Sequence, residues 1–323
     1  MPSFIQISIV TTMYKQAAHV EEFYSRMSKT VKKISSEYEI LFVNDGSPDD
    51  CVAIALSLFH QDQRVKVIDL SRNFGHHKAI MTGLAYARGR YVFLIDIDLE
   101  EPPELLGRFW ETFHETSGTD VVYGVQERRR GGWFERVSGG IFYTLFNAMS
   151  DHSLSPNQVT ARLMSRRFVD ALIQFREQVV LFGGLSALAG FRQLPLNIDK
   201  SSSSPTTYGL KQRYALLMNA ITSFSNKPLV FVFHFGSLFF VLALLYCLYL
   251  LFNKLFLGHP VEGWTALIAS VWLVGGITIF FLGIVAVYMA TLFVEVKARP
   301  YTIIRKIYDR DLETDLEVIK HRK

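Results

Sequence analysis

Two long runs of apolar residues interrupt the mixed pattern of the chain, both in its C-terminal third. Leu229 to Phe252 contains no Asp, Glu, Lys or Arg, and Gly263 to Val294 is equally free of them. At about 1.5 Å per residue, either run is long enough to cross the apolar core of a bilayer as a helix. The pattern predicts transmembrane helices over residues 228–252 and 263–294, joined by a short loop over residues 253–262. Two buried helices in a soluble core fit such long uncharged runs less well.

Basic residues flank this predicted hairpin unevenly. Lys227 precedes the first run and the loop contains only Lys254, whereas the basic residues that follow the second run include Lys297, Arg299, Arg305 and Lys306. Because Lys and Arg favour the cytoplasmic side, we expect residues 1–226 and a basic tail, residues 295–323, in the cytoplasm. The N-terminal residues lack the pattern of a signal peptide. The chain is therefore expected to be a multi-pass protein of the cytoplasmic (inner) membrane whose N-terminal domain faces the cytoplasm.

Short apolar runs bounded by turn residues recur in the N-terminal half. They alternate with helical patterns such as His19 to Ser35 and His77 to Ala87, and they comprise Ile5 to Val10, Glu39 to Val43, Val65 to Leu70, Tyr91 to Ile95 and Val121 to Tyr123. Strands that alternate with helices indicate βαβ units. We expect an α/β, Rossmann-like domain with a mostly parallel sheet, which binds its ligand at the carboxyl ends of the strands.

Two other segments combine apolar and polar residues in a way that suits a membrane surface. Five apolar residues share one face of a predicted helix before the first membrane run: Leu210, Tyr214, Leu217, Ile221 and Phe224. Ile141 to Met149 is rich in aromatic residues. Both segments fit helices in the plane of the membrane interface, and equally well helices packed on the N-terminal domain.

Composition narrows the classes of function. The 323 residues, 50% of them hydrophobic, suffice for one sizeable core plus membrane segments. The net charge of +4 is small and dispersed, so no nucleic-acid partner is indicated. The two cysteines, Cys51 and Cys247, lie in regions of different character and do not form a disulfide framework, which fits a reducing cytoplasm.

An acidic pair follows the fourth predicted strand. Tyr91 to Ile95 ends directly in Asp96, Ile97 and Asp98, which places two carboxylates at the ligand-binding edge of the sheet. Crowded negative charge needs a compensating partner, and a divalent cation that bridges two phosphates provides one. The cation would be Mg²⁺ or Mn²⁺, with Glu100 as a candidate third ligand. The alternative is an ordinary pair of solvated loop residues.

Two more polar segments follow predicted strands. In VNDGSPDD, Asp45 can accept hydrogen bonds from a base N–H and Gly46 permits the turn, although an ordinary Asp-Gly turn has the same pattern. In LSRNFGHHKAIMTGLAYARGR, Arg72 or Lys78 could face phosphates or be solvated. His76 and His77 are adjacent and cannot share one helical face as metal ligands, so a loop or capping role is expected for them.

The order of six segments resembles family 2 glycosyltransferases: SIVTTMYKQ, VNDGSPDD, LSRNFGHHKA, DIDLEEPPE, SFSNKPL and EVKARP. Within that family the chain is similar to the dolichyl-phosphate-mannose-synthase branch, and especially to bacterial polyprenyl-phosphate glucosyltransferases with two C-terminal membrane helices. The resemblance implies a GT-A fold, an inverting mechanism and a site in which each matching position keeps its family role. The implied nucleotide-sugar site comprises Thr12, Tyr14, Gln16, Val43, Asp45, Asp96 and Ile97. The implied metal site comprises Asp96, Asp98 and Glu100.

The chain departs from the family pattern in two places. Thr12, Lys15 and Gln16 stand where the first loop usually has Pro, Asn and Glu. Asn157, Val159 and Ala161 replace the Asp, Gly and Phe of a second motif, in which Arg162 and Leu163 match. The missing Asp would matter for an acceptor that must lose a proton. A lipid phosphate is already largely ionised, its second pKa being about 6, and can attack the anomeric carbon directly with inversion.

An anionic acceptor also needs cationic side chains. GVQERRRGGW supplies Arg128 to Arg130, and Arg129 best matches the family spacing, so we expect it to be catalytic together with Asp96 and Asp98. The expected lipid-phosphate ligands are Arg128, Arg129, Arg162, Lys200, Lys211 and Arg213. The alternative for such residues is contact with anionic lipid headgroups.

The resemblance implies transfer of a hexose, most simply glucose, from UDP-sugar to undecaprenyl phosphate, for modification of a cell-envelope glycan. Alternatives are a GDP-mannose-dependent polyprenyl-phosphate mannosyltransferase and a catalytically silent membrane scaffold; Asn157 and Ala161 favour the scaffold and the intact Asp45, Asp96 and Asp98 oppose it. A processive polysaccharide synthase would carry Gln-x-x-Arg-Trp, and dinucleotide or P-loop enzymes their glycine-rich loops, none of which occurs. Candidate partners are a second copy of the chain, a flippase and a downstream glycosyltransferase.

Overall fold

The computed structural model describes residues 4–126, 158–178, 180, 182–198, 227–252 and 263–310. These residues fall into two units: residues 227–252 and 263–298 form one, and the remaining described residues form the other. The predicted loop over residues 253–262 and the predicted interfacial segments, residues 141–149 and 210–224, lie outside the described residues.

The larger unit is built on one eight-stranded sheet. Its strands are β1 (Ile7–Met13), β2 (Tyr38–Asn44), β3 (Val65–Leu70), β4 (Tyr91–Leu94), β5 (Val121–Gln126), β6 (Gln158–Ser165), β7 (Gln193–Ile198) and β8 (Ile304–Tyr308). They lie in the order β7-β5-β6-β4-β1-β2-β3-β8. The pairs β1–β2, β1–β4, β2–β3 and β5–β7 are parallel, and β6 and β8 run antiparallel to their neighbours. The predicted α/β, mostly parallel sheet is confirmed.

Helices connect and cover these strands. They are α1 (Val20–Val31), α2 (Cys51–Gln61), α3 (His76–Tyr86), α4 (Leu105–Glu115), α5 (Arg166–Leu172) and α6 (Phe182–Leu188), and a short 3-10 helix (Ala17–His19) precedes α1. Every residue of β1, β2 and β3 is buried, as is typical of parallel strands covered on both faces. Phe23 of α1 packs edge-on against Phe42, and Phe109 of α4 against Phe93. These aromatic contacts hold the helices to one face of the sheet.

The segment that follows the last long helix returns to this sheet. β8 pairs antiparallel with β3, so the residues that the sequence predicted as part of a basic tail form an edge strand. A buried charge network fixes the strand: Lys66 Nζ lies 3.0 Å from both Glu39 and Asp309, and Arg88 Nη2 lies 3.0 Å from Asp309. The sheet of the larger unit therefore contains strands from both the N-terminal and the C-terminal part of the chain.

The smaller unit consists of two long helices, α7 (Lys227–Phe252) and α8 (Trp264–Val296). Within α8, Ser270–Val296 has a mean hydropathy of 2.5 and none of it is buried, so this helix is long and apolar enough to span a membrane. Of the described helices it alone meets that test. Phe235 of α7 and Phe281 of α8 are in edge-on contact, their ring centroids 5.5 Å apart. The two predicted membrane runs are thus helical and touch each other.

Candidate active site

The predicted site residues leave the sheet at one edge. Met13 at the end of β1 is in register with Asn44 at the end of β2, and Val10 of β1 is in register with Leu94 at the end of β4. Because these strands are parallel, the loops that follow them project from the same side. The structure therefore brings together the loop after β1, the Asp-Gly turn after β2 and the acidic segment after β4.

The first two of these loops are tied to each other by Asp49. Its carboxylate accepts hydrogen bonds from the Ala17 N–H at 3.0 Å and from the Ser47 hydroxyl, while the Lys15 N–H donates to Ser47 Oγ at 2.7 Å. Partial burial alone would raise the pKa of Asp49, but hydrogen bonds from Cys51, Ser47 and Ala17 lower it to about 2. Asp49 is thus fully ionised at neutral pH and fixes the loop that carries Tyr14 and Gln16.

Asp45 anchors the loop that precedes α3. It is buried, and its two carboxylate oxygens accept hydrogen bonds from the N–H groups of Phe74 at 2.7 Å and Gly75 at 3.0 Å. Burial raises the pKa of this carboxyl above its ordinary value, although the two N–H groups oppose the change. A carboxylate oxygen has two lone pairs, so a further N–H from a ligand remains compatible with this arrangement.

Gly46 lets the two loops approach closely. Its φ is +61°, and a Cβ built there would lie 2.3 Å from the carbonyl carbon of Arg72. Both the backbone conformation and the space therefore require glycine at this position. The Asp-Gly sequence predicted a turn after β2, and the glycine lets this turn lie against the loop before α3.

The acidic segment after β4 is a tight turn. Asp98 Oδ1 accepts a hydrogen bond from the Glu100 N–H at 3.0 Å, and Leu99 between them has a φ of +62°. A leucine in the left-handed region is strained, and such strain persists where the surroundings enforce a particular geometry. Asp96 and Asp98 remain partly exposed, whereas Ile97 is buried. The two carboxylates therefore face the surface of the site.

Two basic groups lie beside Asp96. His76, the first residue of α3, places its Nε2 3.4 Å from Asp96 Oδ1, and its Nδ1 lies 3.0 Å from Thr12 Oγ1. Arg162 on β6 is only 3% exposed, donates to the carbonyls of Thr160 and Val159, and lies over the ring of Phe182. Burial lowers the pKa of Arg162 to about 10, a change limited by the attraction of Glu101 and Asp96. Arg162 is therefore cationic at neutral pH and compensates part of the acidic charge.

Known proteins are similar in sequence to almost the whole of this chain. The sequence model named Glycosyl transferase family 2 matches residues 8–173. A Mycobacterium tuberculosis (strain CDC 1551 / Oshkosh) protein assigned by name to the glycosyltransferases is 46% identical over 96% of this chain and 90% of its own length. The chain belongs to glycosyltransferase family 2. It is a glycosyltransferase, as its sequence motifs predicted.

Other relatives of this glycosyltransferase also match over almost their whole length. The uncharacterized glycosyltransferase YkcC of Bacillus subtilis (strain 168) is 36% identical over 95% of this chain and 96% of its own. The SfII prophage-derived bactoprenol glucosyl transferase of Shigella flexneri is 28% identical over 94% and 98%. Among solved structures, the glucosyl-3-phosphoglycerate synthase from Mycobacterium tuberculosis in complex with Mn²⁺, UDP and glucosyl-3-phosphoglycerate gives a TM-score of 0.47 at 18% identity, over 68% of this chain and 79% of that chain.

The acidic segment suits a divalent cation that is shared with a ligand. In the part of the chain that the structure describes, no group of three or more His, Cys, Asp and Glu side chains is arranged to hold a metal ion. Mg²⁺ and Mn²⁺ prefer hard oxygen ligands, and Mg²⁺ is commonly bound by one or two carboxylates together with substrate phosphates. Asp96 and Asp98 of this glycosyltransferase fit that donor set. Glu100 as a third ligand stays a prediction.

The structure places the remaining predicted residues as follows. Tyr14 is exposed on the loop after β1, whereas Val43 is buried in β2, so its side chain does not reach the surface of the site. Because Arg162 is buried, a lipid phosphate would meet it only inside the site. Five predicted acceptor ligands and one departure from the family motif lie outside the described residues: Arg128, Arg129, Lys200, Lys211, Arg213 and Asn157.

Sequence reasoning missed the position of His76. The sequence excluded the two histidines as a metal pair and favoured a loop or capping role for both, whereas the structure separates them: His76 faces Asp96, and the half-buried His77 has its Nδ1 3.0 Å from the Val180 carbonyl oxygen. Burial, with a smaller contribution from the charge of His76, lowers the pKa of His77 to about 4, so its imidazole is neutral. A glycine before the pair, at the end of a loop that follows a parallel strand, was the available signal.

Proposed function

We propose that this glycosyltransferase moves glucose from UDP-glucose to undecaprenyl phosphate with inversion at the anomeric carbon. The observation that carries the proposal is the meeting, at one sheet edge, of the Asp45 turn and the partly exposed pair Asp96 and Asp98. A base-binding turn beside a diphosphate-binding pair is the arrangement that a nucleotide-sugar donor needs. The relatedness to a bactoprenol glucosyl transferase over 94% of the chain supports glucose and the lipid acceptor.

Different side chains bind different parts of the donor, according to their positions in the site. Thr12, Tyr14, Gln16 and Asp45 surround the nucleoside together with the backbone of Val43, while Asp96, Asp98 and Glu100 face the diphosphate. A phosphate oxygen of the acceptor attacks the anomeric carbon as the bond from that carbon to the diphosphate breaks, and the bonding electrons leave with UDP. A divalent cation, when bound, supplies positive charge for the departing diphosphate. No side chain must remove a proton from the acceptor, which makes Asn157 compatible with activity.

Cationic side chains are proposed to guide the acceptor. We propose that Arg129 contacts the reacting phosphate. The further proposed contacts come from Arg128, Arg162, Lys200, Lys211 and Arg213. Arg162 has the strongest support among them, since its buried guanidinium is cationic and is attracted by the Asp96 carboxylate. Guanidinium groups bind phosphate oxygens in a bidentate manner, which favours arginine at such positions.

The membrane is proposed to present the acceptor. The helix α8 is exposed and apolar over Ser270–Val296, and α7 carries no charged residue after Lys227. A pair of crossings with both ends in the cytoplasm would keep the catalytic edge on the side where nucleotide sugars are made. This arrangement defines a cytoplasmic domain over residues 1–226, a loop outside over residues 253–262 and a cytoplasmic tail over residues 295–323.

Transfer of label tests the proposal directly. Purified protein in detergent is incubated with Mg²⁺ or Mn²⁺, labelled UDP-glucose and undecaprenyl phosphate, and label is measured in the lipid fraction; GDP-mannose is used in parallel. We expect label only from UDP-glucose. Transfer from GDP-mannose alone would indicate the mannosyltransferase, and no transfer from either donor would favour a silent scaffold.

Matched variants show whether the acidic pair is responsible. Asp98→Ala should reduce transfer at least about 100-fold, because a group that stabilises the departing diphosphate is lost. Glu115→Ala removes an exposed carboxylate at the far end of α4 and should leave transfer within about 2-fold. Equal activity of the two variants would contradict the role of Asp98.

A further inference from the structure

Three side chains from different loops form a continuous chain across the site. Thr12 Oγ1 lies 3.0 Å from His76 Nδ1, and His76 Nε2 lies 3.4 Å from Asp96 Oδ1. Thr12 is nearly buried, whereas the imidazole of His76 is 42% exposed. The imidazole therefore connects the loop after β1 to the first carboxylate of the acidic pair on the open side of the sheet edge.

The backbone holds His76 in place from the other side. Gly75 directly precedes it with a φ of +101°, and the carboxylate of Asp45 accepts hydrogen bonds from the N–H groups of Phe74 and Gly75. Asp45 thus fixes the residues just before α3 and, through them, the start of the helix that carries His76. The base-binding turn and the acidic pair are connected through this histidine.

The two ring nitrogens of His76 differ in their contacts. Nδ1 is within hydrogen-bond distance of the Thr12 hydroxyl, which can donate or accept according to the tautomer of the imidazole. Nε2 lies 3.4 Å from Asp96 Oδ1, and a proton on this nitrogen would face an oxygen that only accepts. Thr12 stands where the first loop of the family usually has proline, which has no hydroxyl.

We infer that His76 is a positioning residue of the donor site. Its imidazole holds the Asp96 carboxylate facing the diphosphate and cation, and the contact with Thr12 Oγ1 keeps the ring beside Asp96. The inference rests on the proposed function for the identity of the donor. It assigns to the departure at Thr12 a role that proline could not fill.

A purely structural role for His76 fits the contacts less well. His76 is not a packing residue like His77, because much of its side chain is exposed. The start of α3 also has no side-chain cap, so the imidazole does not serve to terminate the helix. Its two ring nitrogens are instead directed at two residues of the proposed nucleotide-sugar site.

The two ring nitrogens can be tested separately by substitution. Glutamine places its amide nitrogen near the position of Nε2 and can still donate to Asp96, whereas asparagine reaches only the position of Nδ1. The measured quantity is the Kd of the full-length protein for UDP, and in parallel for GDP, with and without Mn²⁺. For each nucleotide, the Kd without Mn²⁺ divided by the Kd with Mn²⁺ reports the part of the affinity that depends on the metal and the acidic pair. This measurement needs no acceptor lipid.

We expect His76→Ala and His76→Asn to reduce this ratio about 10-fold, because the contact of Nε2 with a charged carboxylate is lost. His76→Gln should remain within about 3-fold of the wild type, and the Kd without metal should be unchanged in all three variants. Thr12→Val should reduce the ratio about 3-fold, while Thr12→Val combined with His76→Ala should be no weaker than His76→Ala alone.

Three results would overturn the inference: an unchanged ratio in His76→Ala, equal ratios in His76→Gln and His76→Ala, or a wild-type affinity that does not depend on Mn²⁺. Thermal unfolding of each variant shows whether a loss comes from misfolding, and the glutamine and asparagine variants keep the comparison valid if the alanine variant is unstable. The proposed function can fail separately, if metal-dependent nucleotide binding is present but no sugar reaches undecaprenyl phosphate.

Discussion

At the scale of single residues, Gly46 provides the sharpest test of the site's geometry. A methyl group at this position would overlap the backbone of Arg72 and Asn73, and the φ of +61° is itself unfavourable for alanine. We expect Gly46→Ala to lower the free energy of unfolding by about 2 kcal/mol or more and to weaken nucleotide binding, as measured by thermal unfolding and UDP titration.

The matched control for this substitution is Gly107→Ala. Gly107 lies in α4, and a Cβ there would meet nothing within 4 Å. Alanine should be neutral or stabilise the helix by up to about 1 kcal/mol. Equal loss of stability in the two variants would show that the close approach of the two loops is not what requires glycine at position 46.

His77 makes stability depend on pH in a defined window. Its pKa is about 4 in the folded state, against an ordinary value of 6.5, so the unfolded chain binds the proton more readily between those values. The stabilisation is fully present above pH 6.5 and is lost as the pH falls toward 4. Relative to pH 7.5, the loss should reach about 2 kcal/mol at pH 5.

His77→Asn isolates this effect, because asparagine can keep the hydrogen bond to the Val180 carbonyl without titrating. Unfolding is measured at pH 7.5 and pH 5 with a chelator present. The wild type should lose stability relative to the variant at the lower pH. Parallel changes in the two proteins would show that His77 is not responsible.

The individual residues also show what sequence could and could not reveal. Asp45, Asp96 and Asp98 follow strands directly, so their common edge could be predicted from the rule for parallel sheets. Thr12 and His76 are 64 residues apart in the sequence, and Asp96 lies on a further loop, yet His76 contacts both. Such contacts depend on how the loops fold over the edge, which no periodicity encodes.

At the scale of elements, the two edges of the sheet were the hardest to predict. The central strands are continuous apolar runs because both of their faces are buried, whereas β7 contains Pro195 and β8 contains the adjacent charged residues Arg305 and Lys306. Proline and charged residues are typical of edge strands but equally of loops and basic tails. β8 was therefore assigned only to a tail, although it completes the sheet.

The charge network beneath β8 should be important for stability. Asp309 is buried beside Lys66, so Asp309→Ala leaves this buried cation with one fewer anion and also removes the ion pair of the partly exposed Arg88. We expect a loss of about 3 kcal/mol in the free energy of unfolding. Denaturant unfolding measures it. Arg64→Ala, which removes a partly exposed ion pair with Asp62 and a contact with the Tyr38 ring, should cost less, about 1 kcal/mol or below.

At the scale of the whole molecule, β8 constrains how the chain can cross a membrane. β8 follows α8 and pairs with β3, which precedes both long helices. A chain that crossed the membrane only at α8 would place these paired strands on opposite sides. If α8 spans the bilayer, the number of crossings between β3 and β8 must therefore be even, and we propose α7, with 26 residues, as the second crossing.

Fusions in a bacterial host test this topology. Alkaline phosphatase, which is active only outside the cytoplasm, should be active when fused after Gly258 and inactive when fused after Lys323, whereas a fluorescent protein after Lys323 should fold and fluoresce. The basic residues after α8 favour the same orientation. Active phosphatase after Lys323 would place β8 outside the cytoplasm. That result would contradict the pairing of β8 with a cytoplasmic β3, and the charge network of Lys66 and Asp309 that accompanies it.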